Sequence, residues 1–594
     1  MTGSNRRYAH SESTRLLCAG AHLDTGFRAR VIDELIGHEE RPAAPSLGVD
    51  VVSVLAHTVR ARRQEVSTAL ALGGIWVVFF AVEAALARNG AVSAGQLAPG
   101  VPGLGVLVGA LPALFYACVC VLLWAARAAS GGGTTMYAVS RAESTRLRLP
   151  RRATAWGLTI MARGLELVYW GYALLRLPDD PFPLLFPLAL TFATGVHRSH
   201  VAEVMRRELG RDVFEGTAPA TPAGNERQIR VARAIAWEQH AGVALYDAHR
   251  PFVGAGKPYE PWSFAMEITP ARKHRLSLNG DSPDGHPNGD GNGLPGGNGR
   301  PDGVDGRPDG VNGPPDGAAP VRLTNRQIID LVRPKLEALR ESAALTSRDR
   351  LKDLEIEEFV YLPSGVGRSE GVYGAESART HAEGAVDEGG EARRHFLRVR
   401  IGAWDEQVVV SVLVRVHTQG RMLVLEVVPH VLGPIVAEYR HVDLIASRRE
   451  DEALREVVRT LLSGPATNVV AGISAVRTLA QCLHTWLAHR EQGPPDAPLA
   501  SVRELGSTDG LSLFQEMDVS RYIKTVEDRI ASGVREALRR SGCETGSFEQ
   551  NIVNVSAGGQ FIGQMSGGTA VGRISRSAVT TGVGSAVYGE GDTE

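Results

Sequence analysis

Residues 101–126 read VPGLGVLVGALPALFYACVCVLLWAA, a run of 26 without a charge. A helix needs roughly 20 apolar residues to cross a bilayer core. Only helices and closed barrels satisfy their backbone groups there. Three more apolar runs surround this one, at Ser67–Ala87, Ala153–Leu175 and Phe182–Val196. The pattern predicts a transmembrane domain of four helices over 67–198. The last run has an uncharged core of 15 residues containing Pro183 and Pro187, which leaves a short, tilted or re-entrant helix open there.

Arginines set the expected direction. Arg60, Arg62 and Arg63 precede the first run, and only Arg88 follows it. Six arginines, from Arg127 to Arg152, lie between the second and third runs, and Arg198, Arg206 and Arg207 follow the fourth. Basic loops stay cytoplasmic. The expectation is a multi-pass protein of the cell membrane with both termini cytoplasmic and the lipid bilayer as its first partner. Arg163 and Glu166 lie three residues apart inside the third run, on one helical face and close enough to pair. An intramembrane ionisable pair is a candidate functional site. Its alternative is a self-neutralised pair that locks helix packing. Gly105 and Gly109 add a small-residue face suited to close helix contact.

Outside this block the chain changes character. Residues 1–66 form an N-terminal helical segment, with Phe27, Val31 and Leu35 on one face after Asp24 and a second helix from Val51 into the first run. Residues 199–278 read as a juxtamembrane helix and a β-hairpin, Val243–Asp247 with Trp262–Ile268. Between these strands, Gly254-Ala255-Gly256-Lys257 tempts a phosphate-loop reading. It fails, because Pro251 stands where that motif needs Gly and Pro258 where it needs Ser or Thr. In 279–318, 32 of 40 residues are Gly, Pro, Asp or Asn, a flexible linker by composition.

Residues 319–515 read as an α+β domain with an antiparallel sheet and an exposed polar insertion, 363–394. Thr324 and Gln327 form a capping box. Leu397, Val399 and Ile401 alternate with Arg398 and Arg400, and Thr418-Gln419-Gly420 marks a hairpin turn. Residues 516–545 form a charged amphipathic helix with Val519, Ile523, Val526 and Ile530 at heptad-like spacing. The tail, 546–594, is low in complexity and β-prone. Ile552–Val555 and the run Gln560, Phe561, Ile562, Gly563, Gln564 and Met565 are uncharged segments that could stack across chains. A disordered Gly/Ser end is the alternative.

Several stretches resemble uncharacterised multi-pass membrane proteins of high-GC Gram-positive actinobacteria. They are Arg28–Leu35, Pro251–Gly256, Trp262–Ala265 and Asp518–Thr525. The resemblance implies a membrane location and no activity. Gly559–Gly563 resembles the Gln-x-Gly core of RHIM-like bacterial amyloid signalling motifs, with one extra apolar residue.

Net charge is −2, so no global field points to nucleic acid, and the five cysteines show no metal-ligand spacing. No nucleophile elbow, zinc motif or phosphate loop is visible, and no cofactor is implied. His197 and His200 are expected to be ordinary interfacial histidines. The layout points to a membrane-anchored cytoplasmic interaction or signalling scaffold, with an unknown protein partner and homo-oligomerisation through the helices and tail. An oligomeric channel or transporter component is the alternative.

Overall fold

The computed structural model describes residues 8–93, 111–129, 149–271, 323–447, 464–480 and 497–556, with short gaps inside several of these, and two strands between 579 and 587. The chain begins with two helices joined at Asp24, α1 (Glu12–Leu23) and α2 (Thr25–Ile32). The backbone of Asp24 closes α1, and its carboxylate accepts from the N–H groups of Gly26 and Phe27 to start α2. Phe27, Val31 and Leu35 are buried.

The long helix α3 then runs unbroken from Val51 to Ser93, 43 residues, about 65 Å at 1.5 Å per residue. Beside it stand α4 (Leu111–Ala129), α5 (Leu149–Arg176) and α6 (Phe182–Arg207). Pro183 falls in the first turn of α6, where its missing N–H costs nothing, and Pro187 lies inside the helix. These helices hold each other through aromatic side chains. Phe79 stacks on Phe186 with ring centroids 4.7 Å apart. The Tyr169 hydroxyl donates to the Pro183 carbonyl at 2.6 Å.

Four transmembrane helices are not what the fold contains. Among the described residues one helix is long and apolar enough to cross a membrane, within Val51–Leu86. The reason lies in composition and length. Among the described residues the apolar stretch of α4 is Pro112–Ala126, shorter than a bilayer core requires. Helix α5 carries Arg151, Arg152, Arg163, Glu166 and Arg176. In α6 the apolar run stops at Val196, and the last turns bury Val201, Val204 and Met205 in the core around α1 and α3. Most of the described chain is α+β.

The sheet is mixed, not antiparallel, with strands in the order β1-β4-β5-β6-β7 and β2 and β3 both against β7. These are β1 (Val243–Tyr246), β2 (Lys257–Pro258), β3 (Trp262–Glu267), β4 (Glu355–Pro363), β5 (Arg394–Ala403), β6 (Val408–Gln419) and β7 (Met422–Leu432). β1 runs parallel to β4 in the register Val243↔Val360. β3 runs antiparallel to β7, with Phe264 opposite Leu425. The expected hairpin of β1 with β3 therefore does not form, because each finds a longer partner at an opposite edge. The β6–β7 hairpin does form, closing at Gln419↔Met422.

Helix α7 (Glu226–Glu238) precedes β1. Helices α8 (Asn325–Thr346) and α10 (Leu513–Arg540) cover one face of the sheet, with α9 (Ala375–Val386) at the β1–β4 edge. The capping box of α8 is present: Thr324 N–H donates to Gln327 Oε1 at 3.1 Å and Gln327 N–H to Thr324 Oγ1 at 3.3 Å. The insertion is partly packed, since Tyr373, Ala385 and Val386 are buried. Val519, Ile523, Val526 and Ile530 of α10 bury in the core formed with α8 and the sheet. Their heptad-like spacing thus describes an intramolecular face. Gly533 lets α8 and α10 approach closely, because a Cβ there would lie 2.6 Å from Val332 Cα.

The tail starts as a helix, α11 (Gly546–Ser556), which contains the supposed strand Ile552–Val555. Phe548 and Ile552, four residues apart, give it a helical face that packs on the same core. Further on, Val579–Thr581 and Ser585–Val587 pair antiparallel. Gly105, Gly109 and the linker 279–318 lie outside the described residues.

Candidate functional site: a buried charged junction at the root of the long helix

The site forms where the N-terminal segment, the first turns of α3 and the sheet meet. On the sheet side it centres on Arg400 of β5, which is 3% exposed. After β5 the chain turns through Trp404, Asp405 and Glu406, with φ of 54°, 56° and 63°. Three successive non-glycine residues in the left-handed region are costly. The turn aims Glu406 back at Arg400, which also pairs with Glu355 at 2.9 Å. Arg400 donates to the Tyr8 hydroxyl at 3.1 Å, and that hydroxyl donates to Glu355 at 2.5 Å. Burial works against the charge of Arg400, but Glu406, Tyr8 and Glu355 outweigh it and raise its pKa. Gly48, at φ +76°, leaves room for this cluster: a Cβ there would sit 2.7 Å from Glu406 Oε2. The cavity beside it, lined by Tyr8, His240 and Arg398 among others, holds about 30 Å³, room for roughly one or two waters.

A second group of contacts ties α1 and α2 to the root of α3. Arg15, 1% exposed, donates to Asp443 Oδ1 at 2.8 Å, to the Leu209 carbonyl at 2.9 Å and to Glu12 Oε2 at 2.7 Å. Arg28 donates to the Ala21 carbonyl at 2.8 Å and pairs with Glu65, whose carboxylate also accepts from Thr478 at 3.0 Å. His22 Nε2 lies 3.2 Å from His57 Nδ1. Burial, then His57, holds His22 well below the ordinary histidine range. Gln239 clamps the start of α3, donating to Asp50 Oδ1 at 3.0 Å and accepting from Val51 N–H at 2.8 Å.

A third element is the short helix Val502–Leu505, capped by Ser501 and Glu504 in a reciprocal box. Arg503 is fully buried and donates to the carbonyls of Gln407 at 2.6 Å and Gly433 at 2.8 Å. Its Nε and Nη1 have no partner among the described residues. Burial pushes its pKa down to about 9, so it stays charged at neutral pH. Glu504 Oε1 accepts from the N–H groups of Gly254 and Gly256 at 2.9 and 3.2 Å. Both glycines have positive φ, +94° and +92°. The Gly254–Lys257 turn is therefore an anion-holding nest filled by the chain's own carboxylate.

Arg163 and Glu166 do pair, at 2.5 Å, but on α5 and apart from this junction. The Arg163 side chain is 43% exposed and that of Glu166 10%. His197 Nδ1 meets Thr68 Oγ1 at 3.0 Å and His200 Nδ1 the Val196 carbonyl at 3.2 Å. No group of residues that could hold a metal occurs among the described residues. Gln560, Phe561, Ile562, Gly563, Gln564 and Met565 lie outside them. The junction itself was not visible in the sequence. A basic residue breaking an apolar strand, as Arg400 does, and a glycine just ahead of a helix, as at Gly48, were the signals available.

Fold and junction together define a two-part protein: an apolar helical block rooted in an α+β domain by buried charges. An AbeC-like domain matches residues 261–570, slightly more than half of the chain, and the chain belongs to that family. No curated protein and no solved structure matches it. The family region includes β3 to β7, α8, α10 and α11. The N-terminal segment, α3 and the strand β1 lie outside it, so the junction joins the matched region to elements beyond its bounds.

Proposed function

We propose that this chain is a membrane-anchored cytoplasmic scaffold in which α3 couples a lipid-facing block to the AbeC-like domain. One observation carries the reading. The root of α3 is locked to the family domain through Arg28, Glu65 and Thr478, while its outer half exposes Leu70, Val77 and Val78 at 64%, 69% and 50%. Exposed apolar side chains on a helix of that length suit lipid. The root of α3 and the last turns of α6 share one core with residues of the N-terminal segment. Arg60 and Arg63 near the root favour the cytoplasmic side of the cell membrane. The tail segment Gln560–Met565, with its RHIM-like neighbourhood, would then serve contacts between anchored chains, whose local concentration the membrane raises.

Alkaline carbonate extraction of membranes from cells making the full chain tests the reading. The chain is expected to stay with the pellet, and protein partners are expected to co-purify with it from the dissolved pellet. Release of the folded chain into the supernatant would overturn it.

A further inference from the structure

A second cavity lies away from the charged junction. It holds about 550 Å³ and is lined by Trp76 of α3, by Ala117, Cys120 and Val121 of α4, and by one side of the helical segment Asn468–Ala480. That segment belongs to the AbeC-like region, yet its Ala471 packs into the apolar core that contains Leu72, Phe79 and Tyr116. The cavity size falls in the roughly 300–1,000 Å³ range of small-molecule sites.

Two features bear on what this open cavity could hold. Asn468 lines it and is 5% exposed, and neither its amide nitrogen nor its oxygen has a partner among the described residues. A buried amide without hydrogen bonds is costly, and native proteins avoid it. Gly472, one turn further on, also lines the cavity, and a Cβ there would meet nothing within 4 Å. The remaining lining is apolar except for Arg477.

We infer that this cavity binds a single acyl chain whose head carries both a hydrogen-bond donor and a carbonyl acceptor, as in a protonated fatty acid or a monoacylglycerol. The chain fills the space beside Trp76, Val121 and Ile473, and the head satisfies both ends of the Asn468 amide. The ligand then touches α3, α4 and the family domain at once, while Thr478 of the same segment reaches Glu65 at the junction. The cavity exists whether or not α3 crosses a membrane, so this inference and the anchoring reading fail separately.

The test is photolabelling of the purified full chain in detergent with diazirine analogues of palmitic acid and of monopalmitoylglycerol. Peptide mass spectrometry locates the adducts. Saturable labelling is expected on α3, α4 and the 468–480 segment, competed by the unlabelled parent, and the analogue that labels identifies the head. Gly472→Leu, which fills the space while favouring the helix, is expected to abolish it. Asn468→Leu is expected to weaken it about tenfold, one buried hydrogen-bonding site. Non-saturable labelling spread over exposed positions such as Leu174 and Phe192, labelling by neither analogue, or saturable labelling untouched by Gly472→Leu would overturn the inference.

Discussion

The two halves of α3 invert the usual rule of burial. From Val51 to Glu65 the helix carries Ser53, His57, Thr58 and Glu65, all buried. Beyond it, Leu70, Val77 and Val78 are apolar and stand half or more exposed. Polar residues are buried at the root because partners wait for them: Asp50 for Ser53, His22 for His57, Arg28 for Glu65. Apolar residues are exposed further out because none of the described elements covers that side. Hydropathy alone reads the second half well and the first half badly. What decides burial is the partner, not the side chain's own polarity.

The comparison sharpens where charge is removed. Arg400→Met leaves Glu355 and Glu406 facing each other at the junction, and is expected to cost about 3–5 kcal/mol. Denaturant unfolding of the full chain in detergent, followed by circular dichroism, would show it. A packing contrast comes next. Gly533→Val drives a side chain into Val332 and should cost about 1–3 kcal/mol. Gly164→Ala on α5 meets nothing within 4 Å and should be neutral or slightly stabilising by the same assay.

The smallest effect is one of pH. The folded state disfavours protonated His22, so the unfolded chain binds more protons below the ordinary histidine pKa. Stability contributed by neutral His22 is full above about pH 6.5 and falls as pH drops below it. His57, Arg28, Arg60 and His197 all bear on His22, and each positive charge adds in the same direction. Hydrogen exchange in α1 should therefore speed up, beyond its intrinsic change, between about pH 7 and pH 5. His22→Gln should flatten that slope. An unchanged slope would mean that the pair is not the sensitive element.

What was legible in the chain follows the same division. Strands β4 to β7 could be read because alternation and a tight hairpin are local signals. The start of α2 at Asp24 and the capping box at Thr324 were local as well. The parallel pairing of β1 with β4 was not, since Val243 meets Val360 across the whole linker. The junction was hidden for the same reason. Arg15 reaches Asp443 over 428 positions, and Arg400 reaches Tyr8 over 392. The four-helix expectation failed for a different reason. The third run was kept as a span although Arg163 and Glu166 lie inside it, and the fourth although its uncharged core is only 15 residues.

The proposed anchoring requires α3 to be one helix with its root in protein and its outer half in lipid. Spin labels at Val77 and at Arg63, in full chain reconstituted into liposomes, address that directly. Collision with oxygen should dominate at Val77 and collision with a water-soluble nickel chelate at Arg63. Nickel access at Val77 equal to that at Arg63 would contradict the account.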